Sequence, residues 1–269
     1  MNEFSIFEKV SSSGYSIVVK AEARFRPATF ALKVIPSPGP RGNKPTPSIR
    51  REVEILRTLD HPCIVRFFGC RFYSKTACIM MELASTNLAQ LIRQSRMPEG
   101  LAKQYILQIA DGLDYIHAKG IIHRDLTLNN VLVTYDGIIK ISDFASALDP
   151  HLNIGHEDVW AYEDCDSRET KGPEVVLRNE QSRAGDYWSL GVILYQLVTG
   201  RDPFKSGMYY DQRKTSENIV YSPLEIPPYI SPQCCEVLHR LLAKAPNSRI
   251  CSFQELSSCA FFNNVALSY

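Results

Sequence analysis

The hydrophobic pattern of the chain changes its period near Leu83, and this change constrains the fold more than any other feature. Before Leu83 the apolar residues fall in short runs rich in β-branched and aromatic side chains, the pattern of β-strands. The predicted strands are residues 4–10, 15–23, 29–35, 63–72 and 77–83. The first third of the chain therefore predicts a five-stranded antiparallel sheet, with a boundary between two lobes near residues 82–86.

One helix is expected within this strand-rich region. Thr46 is a suitable N-cap and Pro47 a suitable first helical residue. Ile49, Val53 and Leu56 then recur at spacings of four and three, which is the period of an amphipathic helix. The sheet is therefore expected to have a single helix to pack on.

After Leu83 the pattern becomes helical. An apolar stripe over residues 101–116 ends at Gly120, and residues 187–199 end at Gly200, so both glycines suit the left-handed position that closes a helix. Further helices are predicted at residues 232–243 and after Ser252, and a short hairpin at residues 131–141. These patterns predict an α+β fold whose second lobe is mainly helical.

Charge and composition exclude several classes of protein. The chain has 30 Lys and Arg against 29 Asp and Glu, which gives a formal net charge of +1. A net charge this small produces no strong positive electrostatic field to attract nucleic acid or an anionic membrane. Neither is therefore expected as a partner. The most apolar stretch, residues 188–198, is too short to span a bilayer. The eight cysteines form no C-x-x-C pair and no zinc-type spacing, and the first residues lack a secretory signal pattern. We therefore expect an intracellular protein, cytoplasmic or nuclear, with reduced thiols.

Two stretches of the second lobe carry the residues best suited to chemistry. Asp125 is followed by an amide, Asn130, five residues later and by a second carboxylate, Asp143, eighteen residues later across the predicted hairpin. Carboxylate and amide oxygens are ligands for hard cations, and a carboxylate nearby can act as a base. This arrangement suits Mg²⁺ and a phosphate ester.

These stretches, HRDLTLNN at residues 123–130 and DFA at residues 143–145, resemble the catalytic loop and the D-F-G motif of the eukaryotic protein kinase superfamily. Other elements of that family occur in order. Lys33 resembles the strand lysine and Glu52 its partner on the helix. Glu174 resembles the glutamate of the A-P-E motif, and Arg249 the arginine that pairs with it. The resemblance covers residues 4–262 and implies one kinase domain over residues 1–269, with an N-lobe of residues 1–83, a hinge at residues 82–86 and a C-lobe of residues 87–269.

The resemblance also implies a nucleotide site for ATP and Mg²⁺. In it Asp125 is the catalytic base, Lys33 and Glu52 serve the phosphates, and Asn130 and Asp143 hold the metal. Residues aligned with the glycine-rich loop and the hinge would contact the nucleotide; they are Val10, Ser11, Ser13, Ser16, Val18, Glu82, Ala84 and Asn87. Met81 would stand at the back of the pocket.

Several positions depart from the family pattern. Ser11, Ser13 and Ser16 occupy the places of the three loop glycines, which is expected to weaken the grip on phosphates because glycine permits close backbone approach. Ala145 replaces the glycine of D-F-G and should stiffen that segment. Thr127 replaces the lysine of the catalytic loop, whose loss should lower the rate.

The favoured interpretation is a serine/threonine protein kinase that acts on protein substrates, with any regulatory subunit unknown. One alternative is a catalytically weak pseudokinase that serves as a nucleotide-binding scaffold, and another is a small-molecule phosphotransferase. Within the leading interpretation, Ser167 favours Ser/Thr hydroxyls as acceptors. We also hypothesise that Glu163 or Asp164 pairs with Arg124 in place of a phosphorylated residue, the alternative being that these acids form a solvated loop face.

Overall fold

The computed structural model describes residues 4–12, 16–23, 26–36, 46–73, 76–152, 168–205, 211–267 and 269. Several positions singled out in the sequence lie outside these ranges. They are Ser13; Tyr15, the first residue of the predicted second strand; Cys165, one of the eight cysteines; and Glu163, Asp164 and Ser167. The expectations that rest on them stay predictions.

The N-terminal region forms the expected five-stranded antiparallel sheet, in the order β1-β2-β3-β5-β4. Its strands are β1 (Phe4–Ser12), β2 (Ile17–Ala23), β3 (Arg26–Pro36), β4 (Phe67–Phe72) and β5 (Thr76–Met81). The register places Val18 opposite Lys33 and Ala31 opposite Met81. The sheet thus places Lys33 between β2 and β5, opposite Val18 on one side and Ile79 on the other.

The predicted fourth strand, residues 63–72, is too long. Only Phe67–Phe72 joins the sheet, because the preceding residues pair with the second lobe instead. Ile64 forms a bridge with Ile141, the Ile141 amide donates to the Cys63 carbonyl at 2.8 Å, and the Val65 amide donates to the Ile141 carbonyl at 2.9 Å. These β-favouring residues therefore tie the two lobes together rather than extend the sheet. The fifth strand also ends earlier than predicted, at Met81.

Helix α1 (Pro47–Thr58) packs on this sheet as expected. Ile49, Val53 and Leu56 are buried, and so is Glu52, with 1% of its surface exposed. Thr46 occupies the N-cap position, but its side chain makes no capping bond to the helix amides. Burying a carboxylate on this helix requires a charged partner, which the sheet supplies.

The second lobe is mainly helical. Its elements are β6 (Thr86–Asn87), α2 (Leu88–Leu91), α3 (Glu99–Ala118), β7 (Val131–Val133), β8 (Ile139–Ile141), α4 (Pro173–Arg178), α5 (Arg183–Thr199), α6 (Gln212–Tyr221), α7 (Pro232–Leu241) and α8 (Phe253–Ser257). Helix α5 is buried on nearly every side and packs against α3 and α7. It is therefore the centre of this lobe's core.

The turn chemistry read from the sequence is largely confirmed. Gly120 and Gly200 have φ of 81° and 70°, the left-handed conformation expected just beyond α3 and α5. The Ser231 hydroxyl accepts from the Cys234 amide at 3.2 Å and the Ser252 hydroxyl from the Glu255 amide at 3.2 Å. These caps fix where α7 and α8 begin.

Two further findings concern the hydropathy of the helices and the state of the cysteines. No helix among the described residues is long and apolar enough to cross a bilayer. The cysteines that the structure describes are all free thiols; they are Cys63, Cys70, Cys78, Cys234, Cys235, Cys251 and Cys259.

Candidate active site

A chain of charges connects the two lobes at the centre of the cleft. The Lys33 ammonium on β3 lies 2.6 Å from Glu52 Oε1 on α1 and 2.8 Å from Asp143 Oδ1, just beyond β8. Lys33 is 6% exposed, so these contacts form in a largely dehydrated setting. Three residues far apart in sequence, all named from the sequence as site residues, are therefore brought into direct contact.

The protonation states of this group follow from the balance of burial and charge. Burial lowers the pKa of Lys33, but the charges of Glu52 and Asp143 and their hydrogen bonds outweigh burial and raise the pKa above its ordinary value. Burial would raise the pKa of Asp143, yet Lys33 holds it below the ordinary range. Lys33 is consequently a cation and Asp143 an anion at neutral pH.

The catalytic-loop residues lie beside this group. The Asn130 amide group donates to the Asp125 carbonyl at 2.8 Å and to Asp125 Oδ2 at 3.0 Å, so it holds the carboxylate in one orientation. The Ser142 amide and hydroxyl both donate to the Asn130 carbonyl, at 2.9 and 2.8 Å. This link between the start of β7 and the end of β8 places Asn130 next to Asp143.

The donor set at this place fits a hard cation. Asn130 uses its NH₂ group toward Asp125, so its Oδ1 atom is the one suited to a cation. Asp143 contributes carboxylate oxygens, and its side chain is 39% exposed and reaches the cleft. Oxygen ligands of this kind suit Mg²⁺.

Departures from the family pattern take on structural roles. The Thr127 hydroxyl accepts from the Asn130 amide at 3.3 Å, so this residue braces the catalytic loop. Ala145 lies in a 3₁₀ turn, Phe144–Ser146, and is not among the residues with positive φ, so glycine is not required there in this conformation. Asp143 itself has a φ of 63°.

The residues expected to meet the nucleotide are partly described. Val10 and Ser11 are exposed on β1, with Ser11 opposite Val18 on β2, and Ser16 is half-buried. Val18 in turn lies opposite Lys33 on β3. Ser13 lies outside the described residues.

Two side chains at the hinge, those of Glu82 and Asn87, make polar contacts within the protein. Glu82 Oε2 lies 3.0 Å from the Lys140 ammonium and accepts from the Arg66 amide at 3.2 Å, so its carboxylate is engaged by these two groups. Asn87 Oδ1 caps α2 by accepting from the Gln90 amide at 2.9 Å. The contact of Asn87 with a ribose stays a prediction, in which its NH₂ group would act, since Oδ1 serves as the cap. Ala84 is half-buried in the segment between β5 and β6.

Two buried charged residues that hold this region are absent from the set of site residues predicted from the sequence. The Asp186 carboxylate on α5 accepts from the His123 and Arg124 amides, each at 2.9 Å, and lies 2.7 Å from His117 Nε2. Arg51 is 2% exposed and donates weakly to the Ala145 carbonyl at 3.4 Å. Both could have been identified from the sequence as charged residues on an otherwise apolar face of a helix. A charge on such a face is buried and therefore needs partners.

Asp186 makes stability depend on pH. Burial raises the pKa of Asp186, but bonds from His117 and the His123 amide bring it below the ordinary value. The stabilisation is therefore present above the unfolded pKa of about 4 and is lost as pH falls through the folded pKa. We expect Asp186→Asn to unfold more easily than the parent at pH 7 by about 1–3 kcal/mol, the cost of leaving buried donors unpaired. The difference should narrow when urea unfolding is repeated below about pH 4, and a constant difference would contradict this assignment.

A further buried ion pair joins α4 to the segment before α8. Arg249 Nη1 and Nη2 lie 2.8 and 3.0 Å from the two carboxylate oxygens of Glu174, and both residues are buried. The pairing expected from the sequence is confirmed. It fixes the start of α4 to the segment before α8.

Comparison with known proteins agrees with this geometry. The family model described as the protein kinase domain matches residues 4–262. The chain is 31% identical over 236 residues to an Aurora kinase of Debaryomyces hansenii, covering 87% of this chain and 56% of that protein. It is 30% identical to an Aurora kinase of Dictyostelium discoideum, covering 93% and 63%, and 29% identical to the serine/threonine-protein kinase PLK4 of Drosophila willistoni, covering 93% and 31%.

The chain therefore spans less than two thirds of the length of these curated relatives. The match nevertheless extends through both lobes and includes Lys33, its two partners Glu52 and Asp143, and the catalytic loop. The bilobal fold, the charged cleft and the family match together show that the chain belongs to the protein kinase family.

Proposed function

We propose that this chain transfers the γ-phosphoryl group of ATP to serine or threonine hydroxyls of protein substrates. The observation that carries the proposal is the unbroken contact from Glu52 through Lys33 to Asp143, beside the Asn130–Asp125 pair. Phosphoryl transfer depends mainly on positioning and on stabilising charge, and these five residues supply both.

Each residue has a definite task in this proposal. Lys33, held by Glu52, neutralises phosphate oxygens, and Asp143 with Asn130 holds Mg²⁺, which supplies charge neutralisation when bound. Asp125 orients the acceptor hydroxyl and accepts its proton. Lys33 must shift part of its bonding from Asp143 toward phosphate, and its raised pKa keeps it charged throughout.

The nucleotide would lie between the two lobes. Val10 and Val18 would cover the base, Ser11, Ser13 and Ser16 would face the phosphates, and the backbone of Glu82 and Ala84 would meet the base edge. The engagement of the Glu82 carboxylate within the protein supports a backbone role for this residue.

The alternative is a nucleotide-binding scaffold with little catalysis, favoured by the three serines and by Thr127. The deciding experiment measures thermal stability with ATP and Mg²⁺, together and separately, and then transfer of radiolabelled phosphate to a peptide library. We expect stabilisation that needs both components, followed by transfer to Ser or Thr peptides. Stabilisation without transfer would establish the scaffold.

The serine-substituted loop leads to a specific expectation. Changing Ser11, Ser13 and Ser16 together to glycine should lower the apparent KM for ATP about fivefold, equivalent to about 1 kcal/mol, because backbone amides could then approach the phosphates. The matched control is the triple alanine variant, which removes the hydroxyls without adding glycine's freedom. Weaker ATP binding by the glycine variant would mean that the serine hydroxyls are themselves ligands.

A further inference from the structure

The residue before the proposed base is held in a strained conformation. Arg124 has a φ of 65°, in the left-handed region that residues other than glycine rarely occupy. Its peptide leads directly into Asp125, so the direction of the Asp125 side chain depends on how firmly this strained unit is held. Both polar groups of the Arg124 backbone have defined partners.

The backbone amide of Arg124 donates to a side chain on α5. Asp186 accepts from the Arg124 and His123 amides, each at 2.9 Å, and His117 lies 2.7 Å from the same carboxylate. Asp186 is 1% exposed, so these bonds are shielded from water.

The carbonyl side is held by Lys171. Its ammonium donates to the Arg124 carbonyl at 2.8 Å. Lys171 follows a 3₁₀ turn, Arg168–Thr170, and the Thr170 carbonyl accepts from the Ser189 hydroxyl at 2.7 Å. Ser189 lies on α5, one turn beyond Asp186. The contacts therefore form a closed ring from Asp186 through Arg124, Lys171 and Thr170 back to the same helix.

We propose that Lys171 is a positioning residue that closes this ring and so fixes Asp125 for the reaction. The inference rests on the proposed function. A charge-assisted bond is stronger than one between neutral groups, which suits a carbonyl belonging to a strained residue. Lys171 also joins the segment before α4 to the catalytic loop, so that the two move as one unit.

The test compares two variants. Lys171→Met keeps an unbranched side chain of similar length but removes the charge, and Lys171→Arg keeps the charge. The matched control is Lys205→Met, which makes the same change on an exposed lysine beyond the end of α5. For Lys171→Met we expect kcat to fall about tenfold to 100-fold, the effect of a small misplacement of a reacting group. The KM values for ATP and peptide and the unfolding temperature should stay near those of the parent. Lys171→Arg should recover most of the activity.

A second measurement does not depend on catalysis. Hydrogen–deuterium exchange of a peptide covering residues 121–126 should be faster in Lys171→Met than in the parent or in Lys205→Met. Unchanged kcat with unchanged exchange would overturn the proposal, and so would a raised peptide KM at constant kcat, which would make Lys171 a contact for acidic substrates. If the parent transfers no phosphate, the proposed function fails, and the exchange experiment alone decides whether Lys171 holds the loop.

Discussion

Replacing Asp125 by asparagine is expected to lower phosphoryl transfer by about 10²- to 10⁴-fold, the usual contribution of a positioned general base. Asparagine keeps the size of the side chain and can still accept a bond from the Asn130 amide, which lies 3.0 Å from Asp125 Oδ2. It cannot accept the proton of the acceptor hydroxyl. The loss should therefore appear in kcat, since the interaction acts mainly in the transition state.

Binding of ATP should be almost unchanged in Asp125→Asn. Lys33, Glu52 and Asp143 form their contacts without Asp125, so the phosphate and metal positions stay intact. Radiolabel transfer gives the rate, and calorimetric titration with ATP and Mg²⁺ gives the affinity. The control is Asp136→Asn, which makes the same chemical change on the exposed turn between β7 and β8. Equal transfer by Asp125→Asn and the parent would remove Asp125 from the mechanism.

Much of the fold could be predicted because local patterns and turn residues agree with it. The strands of the first lobe, the helical stripe of α3 and the left-handed glycines after α3 and α5 are set by interactions close in sequence. The exception is instructive. Residues 63–66 have strand-like side chains, but their partner is Ile141 in the other lobe, and no local pattern reports that pairing.

The site was predictable to the extent that its residues carry recognisable spacing. The sequence predicts Lys33, Glu52, Asp125, Asn130 and Asp143 as site residues. The structure brings the first two into contact with Asp143 and joins Asn130 to Asp125. Their roles as site residues stay proposals.

The supporting contacts were not predictable in the same way. Whether a side chain bonds to a distant backbone group depends on tertiary packing, as the bonds of Asp186 and Lys171 to the Arg124 backbone show. A charged residue within an apolar helix, such as Asp186 in α5, is the feature that sequence reasoning can use.

The pair of Glu174 and Arg249 is expected to dominate the stability of the second lobe. Both side chains are buried, the contact is bidentate, and Arg249 also donates to the Ala184 and Ala243 carbonyls. Removing one partner of a buried pair leaves the other charge uncompensated, which costs about 3–5 kcal/mol. We therefore expect Arg249→Met to lose stability on this scale in urea unfolding.

A double-mutant cycle separates the ion pair from the packing around it. Glu174→Gln alone should also be strongly destabilising, because the Arg249 charge would remain buried without a counterion. The double variant, Glu174→Gln with Arg249→Met, should be more stable than the sum of the two single losses predicts, since neither charge is then left unpaired. The control is Glu180→Gln, which alters an exposed pair with Arg178 at 3.5 Å and should change stability by less than about 1 kcal/mol. Additive losses would show that Arg249 acts through the Ala184 and Ala243 carbonyls rather than through Glu174. A coupling of several kcal/mol would instead show that the ion pair itself links the start of α4 to the segment before α8.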